Sequence, residues 1–138
     1  MLNARLTKRV EELEYLAYHD PLTGLRNRNW MNRYLTECQH LQIYFIDINN
    51  LREINKLGHT QGDAHIKKCV LDIMTKTKVG DVFIRYAGDE FVLLSNTPGL
   101  IETNDTYSVG WTLRWFHNNI MEAIERADMN MIQEKIKK

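Results

Sequence analysis

The sequence predicts an α+β fold: a mostly antiparallel sheet flanked by helices, preceded by an N-terminal amphipathic helix. Three observations predict it. Residues 41–48 form a predominantly apolar, β-branched and aromatic run that reads as a buried strand. Residues 82–86 and 90–94 are shorter apolar stretches on either side of Ala87-Gly88-Asp89, a hairpin pattern. Apolar residues at helical spacing fill the segments before, between and after these strands.

Each element follows in order. Leu2, Leu6, Val10, Leu13 and Leu16 recur every three or four residues, with Lys8, Arg9, Glu11 and Glu12 between them. This helical stripe either packs on its own domain or dimerises as a short coiled coil. Asp20-Pro21 ends it, because the residue before proline avoids the α region. The division expected is residues 1–19 as linker or dimerisation helix and 20–138 as a compact domain. Asn27 or Asn29 can cap a second helix reaching about residue 39. A short helix follows over 50–56. A longer one covers 62–78, with Ala64, Ile66, Val70, Ile73 and Met74 inward. After the hairpin, 95–105 is rich in turn residues, 106–112 is a final strand and 117–137 a closing helix. Helices on one side of such a sheet give an architecture close to a ferredoxin-like palm.

Composition narrows the function classes. A chain of 138 residues fits one domain with its own core. Lysine plus arginine balance aspartate plus glutamate at 18 each, so no global field favours nucleic acid or an anionic membrane. Any anion site must be local. Cys38 and Cys69 suggest no disulfide framework and fit reduced cytoplasmic thiols. No apolar run approaches the ~20 residues of a membrane span, and no secretory leader is evident. No membrane insertion and no nucleic-acid partner are expected.

The chemistry concentrates at two strand ends. Asp89 and Glu90 sit at the hairpin tip after Gly88, which can take positive φ and leaves room for a phosphate or metal. Asp47 closes the buried strand. Carboxylates on two rigid strand ends can hold Mg²⁺ against a nucleoside triphosphate, since hard cations take oxygen ligands. The same acids are also common at exposed turns.

The ordered motifs Asp20-Pro21-Leu22-Thr23-Gly24-Leu25-Arg26-Asn27-Arg28, Phe45-Ile46-Asp47-Ile48-Asn49-Asn50-Leu51, Gly58-His59, Gly62-Asp63, Arg85-Tyr86-Ala87-Gly88-Asp89-Glu90-Phe91, Ser108-Val109-Gly110 and Ala127-Asp128 resemble the GGDEF domain family of diguanylate cyclases. The resemblance implies condensation of two GTP to cyclic-di-GMP with release of pyrophosphate, in a homodimer, with Mg²⁺ (or Mn²⁺). It implies metal ligation by Asp47, the Ile48 carbonyl, Asp89 and Glu90, with Asp89, Glu90 and Arg52 catalytic. It implies substrate binding by Asn55, His59, Asp63 and Lys135. A carboxylate at Asp63 can accept from guanine N1–H and N2–H, donors that adenine lacks. Helix capping remains the alternative for Asn55 and Asp63, a structural role for His59, and a solvated terminal lysine for Lys135.

The chain departs from the family pattern at five places. Ala87 replaces the first glycine of the motif. One residue fewer separates Asn55 from Gly58, which bears on base choice. The segment from Phe91 to Ser108 is short, so that a helix is missing and the sheet is expected to be less covered, exposing an apolar patch. Lys78 and Asp81 stand where the family's inhibitory site has Arg-x-x-Asp, a degenerate site expected to respond weakly to product. Ile132 replaces a tyrosine in the last helix. Three readings follow: an active diguanylate cyclase, an inactive GGDEF-like nucleotide-binding or dimerisation module, and a cyclase making an adenine-containing cyclic dinucleotide.

Overall fold

The computed structural model describes residues 2–35 and 39–137. In chain order the elements are α1 (Leu2–Tyr18), β1 (Arg26–Asn27), α2 (Arg28–Tyr34), β2 (Gln42–Ile48), α3 (Leu51–Asn55), α4 (His59–Lys76), β3 (Val82–Arg85), β4 (Glu90–Ser95), β5 (Tyr107–Leu113), a 3-10 turn (Arg114–Phe116) and α5 (Ile120–Lys137). The five strands lie in the order β1-β3-β4-β2-β5. All pairings are antiparallel except the short β1–β3 pair.

Every residue of central β2 is buried. Its successive side chains point to opposite faces. Tyr44, Ile46 and Ile48 pack with Ile66, Val70 and Ile73 of α4. Ile43 and Phe45 pack with Met31 of α2 and with Ile120, Ile124, Ala127 and Met131 of α5. Helices therefore cover both faces, not one. A strand buried on both sides carries apolar residues without alternation, so its sequence does not reveal the second layer.

Element boundaries differ where local signals are weak. β1 has two residues and no periodicity to reveal it. Asn27 closes that strand and caps α2, its Oδ1 accepting from the Trp30 amide at 2.9 Å. α2 ends at Tyr34, short of residue 39. Cys38 lies outside the described residues. Cys69 is a free, buried thiol, and burial pushes its pKa up to about 11. α4 begins at His59, three residues earlier than expected, and α5 at Ile120, three later.

The short link between β4 and β5 does cover the sheet. The Tyr44 hydroxyl donates to the Thr97 carbonyl at 2.5 Å and accepts from the Leu100 amide at 3.2 Å. Ile101 is buried against the α4-side core, and Leu100 packs on it. An irregular strap thus takes the place of the expected gap, although Trp111 on β5 stays 52% exposed. The outer edge of β5 is blunted by side chains. The Val109 amide donates to Thr103 Oγ1 at 2.9 Å, and Asn130 Nδ2 donates to the Trp111 carbonyl at 2.9 Å.

Two further features frame the site. A Cβ on Gly110 would lie 2.0 Å from the Met131 amide nitrogen and 2.1 Å from the Ala127 carbonyl, so α5 rests its backbone directly on β5. α1 buries none of its residues, and Leu2, Leu6, Val10, Leu13 and Leu16 are all exposed. Its apolar stripe therefore does not pack on its own domain.

Candidate functional site

The strand register brings the two acidic ends together. Asp47 is paired across the β2–β4 ladder with Glu90. The Ile48 amide donates to the Asp89 carbonyl at 2.9 Å. The hairpin tip closes by bonds from the Tyr86 and Ala87 amides to the Glu90 carbonyl, at 2.8 and 3.1 Å. Gly88 does not adopt positive φ, contrary to expectation, but a Cβ there would meet nothing within 4 Å. Open space at the tip, rather than a strained turn, is what this glycine supplies. Ala87 takes negative φ, so its methyl group is tolerated.

Asp47 is 6% exposed. Its Oδ2 accepts from the Lys135 ammonium, reaching across from α5, while its Oδ1 is buried without a hydrogen-bond partner. Burial, opposed by Lys135 and reinforced by the charge of Asp89, pushes its pKa up to about 6. Glu90 is also raised, by burial first and then by the negative charges of Asp47, Asp89 and Asp128. Asp128, about two turns before Lys135 on α5, is raised by burial. The one ammonium paired with these carboxylates, that of Lys135, is bound to Asp47.

Among the described residues, no three or more His, Cys, Asp or Glu side chains are arranged as a ready-made metal site. The donor set nevertheless suits a hard divalent cation. It offers carboxylate oxygens, an orphaned buried Oδ1, and a carboxylate already paired with a cation, the Lys135 ammonium.

Beside this cluster lies a cavity of about 530 Å³, lined by Asn49, Asn50, Asp105 and Lys135. Sequence reasoning gave no role to Asn49, Asn50 or Asp105. Asn49 Nδ2 donates to the Asn104 and Asp105 carbonyls, both at 3.3 Å, and its Oδ1 accepts from the Ser108 hydroxyl at 2.9 Å. These contacts tie the end of β2 to the strap. Asn50 is a non-glycine residue in the left-handed region, φ 60°, where the chain turns into α3. Two consecutive asparagines after a buried strand were the available signal.

The remaining candidates fall in three places. Arg52 is exposed on α3. Asn55 ends α3, while His59 and Asp63 lie in the first turns of α4, and all three are exposed. Neither Asn55 nor Asp63 caps a helix at its start, since Asn50 and Gly58 occupy those positions. Lys78 and Asp81 are turned on each other: the Lys78 amide donates to Asp81 Oδ2 at 2.8 Å, and the Asp81 amide to the Lys78 carbonyl at 3.0 Å.

A nucleotide-binding palm of the GGDEF type is the class that this fold and site define. Residues 17–106 match the model of the family "Diguanylate cyclase, GGDEF domain", and the chain belongs to that family. The matched span holds every candidate residue except Lys135. The chain is 39% identical over 98 residues to the diguanylate cyclase DgcM of Escherichia coli, an alignment covering 63% of this chain and 24% of DgcM. It is 32% identical over 110 residues to the cyclic di-GMP phosphodiesterase NbdA of Pseudomonas aeruginosa, covering 68% and 14%. The chain thus spans a quarter or less of these relatives. In fold it is similar to the coiled coil and GGDEF domain of DgcB from Caulobacter crescentus, solved in complex with c-di-GMP, with TM-score 0.82 and 20% identity over 97% of this chain and 88% of that one.

Proposed function

We propose that this domain is a diguanylate cyclase, joining two GTP into cyclic-di-GMP and releasing two pyrophosphates. The observation that carries the reading is the register pairing Asp47 with Glu90 beside Asp89, with Lys135 paired to Asp47. Each GTP 3′-hydroxyl attacks the α-phosphorus of the other nucleotide, and the bond from that phosphorus to the pyrophosphate oxygen breaks. Asp47, the Ile48 carbonyl, Asp89 and Glu90 would hold Mg²⁺ or Mn²⁺, which when bound neutralises triphosphate charge and makes the hydroxyl more acidic.

The chain's own residues supply position and charge. Lys135 borders the 530 Å³ cavity and can move from Asp47 to phosphate oxygens. Arg52 adds a second cation on the α3 side. Asn55 and Asp63 read the guanine edge, with His59 beside them. Two sites must face each other, so the active form is a homodimer. The uncovered Leu2-to-Leu16 stripe is the surface that a second copy would bury. Product feedback is weak, because Asp81 spends its carboxylate on its own turn and Lys78 lacks the planar fork of arginine. Among the described residues no helix is long and apolar enough to cross a membrane. Use of GTP places the domain in the cytoplasm.

A second reading, an inactive nucleotide-binding module, is favoured by the Lys135–Asp47 pair, which occupies the carboxylate a metal would need. A phosphodiesterase among the relatives means that family membership alone does not choose between the two. The test is incubation with Mg²⁺ and GTP, ATP or both, with products identified by mass. Cyclic-di-GMP from GTP, lost in Asp89→Ala with folding kept, supports the cyclase. An adenine-containing product moves base reading away from Asn55 and Asp63. No product at concentrations where dimers form, with GTP still bound, establishes the module.

A further inference from the structure

α3 ends at Asn55, three residues turn the chain, and α4 begins at His59. The turn is tight. The Gly58 amide donates to the Asn55 carbonyl at 3.0 Å, and the Gly62 amide to the Gly58 carbonyl at 3.2 Å. This folds the end of α3 onto the first turn of α4, where Gly62 is buried. A Cβ on Gly62 would lie 1.7 Å from Asn55 Oδ1 and 2.9 Å from its Cγ. The three nearest atoms that such a Cβ would meet outside its own helix backbone, the last at 3.8 Å, all belong to the Asn55 side chain. The Asn55 amide therefore fills the notch left by the missing side chain at position 62. Asp63, the other proposed base-reading residue, is the next residue in the chain.

We infer that Gly62 is a positioning residue for base recognition: its lack of a side chain sets where the Asn55 amide lies relative to Asp63. This rests on the proposal that Asn55 and Asp63 read guanine. The fold does not need the glycine. It sits within α4 with ordinary negative φ, where alanine is the better helix former. No backbone stands in the way, in contrast to Gly110. A methyl group at 62 leaves the helices packed and forces only the Asn55 side chain to rotate away. It acts on the ligand through Asn55 and through nothing else.

This makes a double-mutant cycle decisive. Binding of 3′-deoxy-GTP, which lacks the attacking hydroxyl and cannot cyclise, is measured with Mg²⁺ for the parent, Gly62→Ala, Asn55→Ala and the double variant. 3′-deoxy-ATP is measured alongside, and thermal unfolding of each protein is followed. Gly62→Ala is expected to weaken 3′-deoxy-GTP binding about tenfold, the scale of one ordinary hydrogen bond. 3′-deoxy-ATP binding should change less, and the melting temperature should be no lower than the parent's. The double variant should bind no worse than Asn55→Ala. If Asn55→Ala weakens guanine binding while Gly62→Ala does not, or if the two losses multiply, the positioning role is wrong and the base-reading proposal stands. If Gly62→Ala lowers the melting temperature by several degrees, its role is structural and the inference fails. If Asn55→Ala itself leaves binding unchanged, the base-reading proposal falls, and this inference with it.

Discussion

Arg85 and Asp20 form a partly buried pair that ties the turn after α1 to the acidic hairpin. Arg85 Nη1 donates to both Asp20 carboxylate oxygens, at 2.9 and 3.0 Å, while Nη2 donates to the Gly88 carbonyl at 2.8 Å. Both side chains are 15% exposed. Asp20 also accepts from the Thr23 amide and hydroxyl, at 2.8 and 2.7 Å. One guanidinium thus spans from the end of the N-terminal helix to the residue before Asp89. Arg85→Met should destabilise the domain by about 2 kcal/mol, because it leaves a partly buried carboxylate without its cation. Chemical denaturation measures this, and Arg85→Lys should restore part of it, since one ammonium cannot reach both partners.

The same pair sets an acid dependence. Burial raises the Asp20 pKa, but the Thr23 and Arg85 hydrogen bonds outweigh it, and the net shift is downward. A carboxyl depressed in the folded state stabilises above its unfolded pKa of about 3.9 and loses that contribution as pH falls through the folded value. Thermal melts below about pH 4 should show parent stability falling with acid, and Asp20→Asn should remove part of that slope.

Asp47 works in the opposite direction. Its pKa of about 6 exceeds the unfolded value, so the folded state holds a proton that the unfolded chain has released. Metal-free stability should therefore fall as pH rises from about 4 to 6 and level off above. Asp47→Asn should raise metal-free stability at pH 7 by about 2 kcal/mol while abolishing Mg²⁺-dependent stabilisation. Melts with and without Mg²⁺ read both effects.

Gly110→Ala should cost about 3 kcal/mol or more, since the added methyl meets the α5 backbone rather than a movable side chain. Urea unfolding reports the loss. Lys135 rides on α5, so GTP affinity should fall in the same variant.

Tyr44→Phe removes both hydrogen bonds that fasten the strap across the sheet. A cost of about 2 kcal/mol is expected from the unsatisfied Thr97 carbonyl and Leu100 amide. Hydrogen exchange should quicken at Leu100 and Ile101 while the amides of β2 stay protected.

Much of the site was legible because it lies on local signals. Asp47 ends a buried run, and Asp89-Glu90 tops a hairpin. Antiparallel pairing then needs only the correct register to bring them together. Asn55 and Asp63 were legible as residues, but not the contact between Asn55 and Gly62, which depends on how two helices meet across a three-residue turn. The Lys135–Asp47 pair joins positions 88 residues apart, and no spacing rule reaches that far. Ile101 reads as one apolar residue in a turn-rich segment, and only the Tyr44 hydroxyl across the sheet explains why the strap lies flat.

The sequence by itself determined the types of the longer elements, the acidic strand ends and the family, because propensity, turn chemistry and ordered motifs act within a few residues of one another. The tertiary structure alone decided that helices cover both faces, that a strap stands in for a helix, that α1 leaves its stripe uncovered, and that Lys135 rests on Asp47. Each of these depends on which surfaces meet once the chain is folded. Burial and contact between distant segments are properties of the packed molecule, and hydrophobic pattern specifies only that a face must be covered, not what covers it.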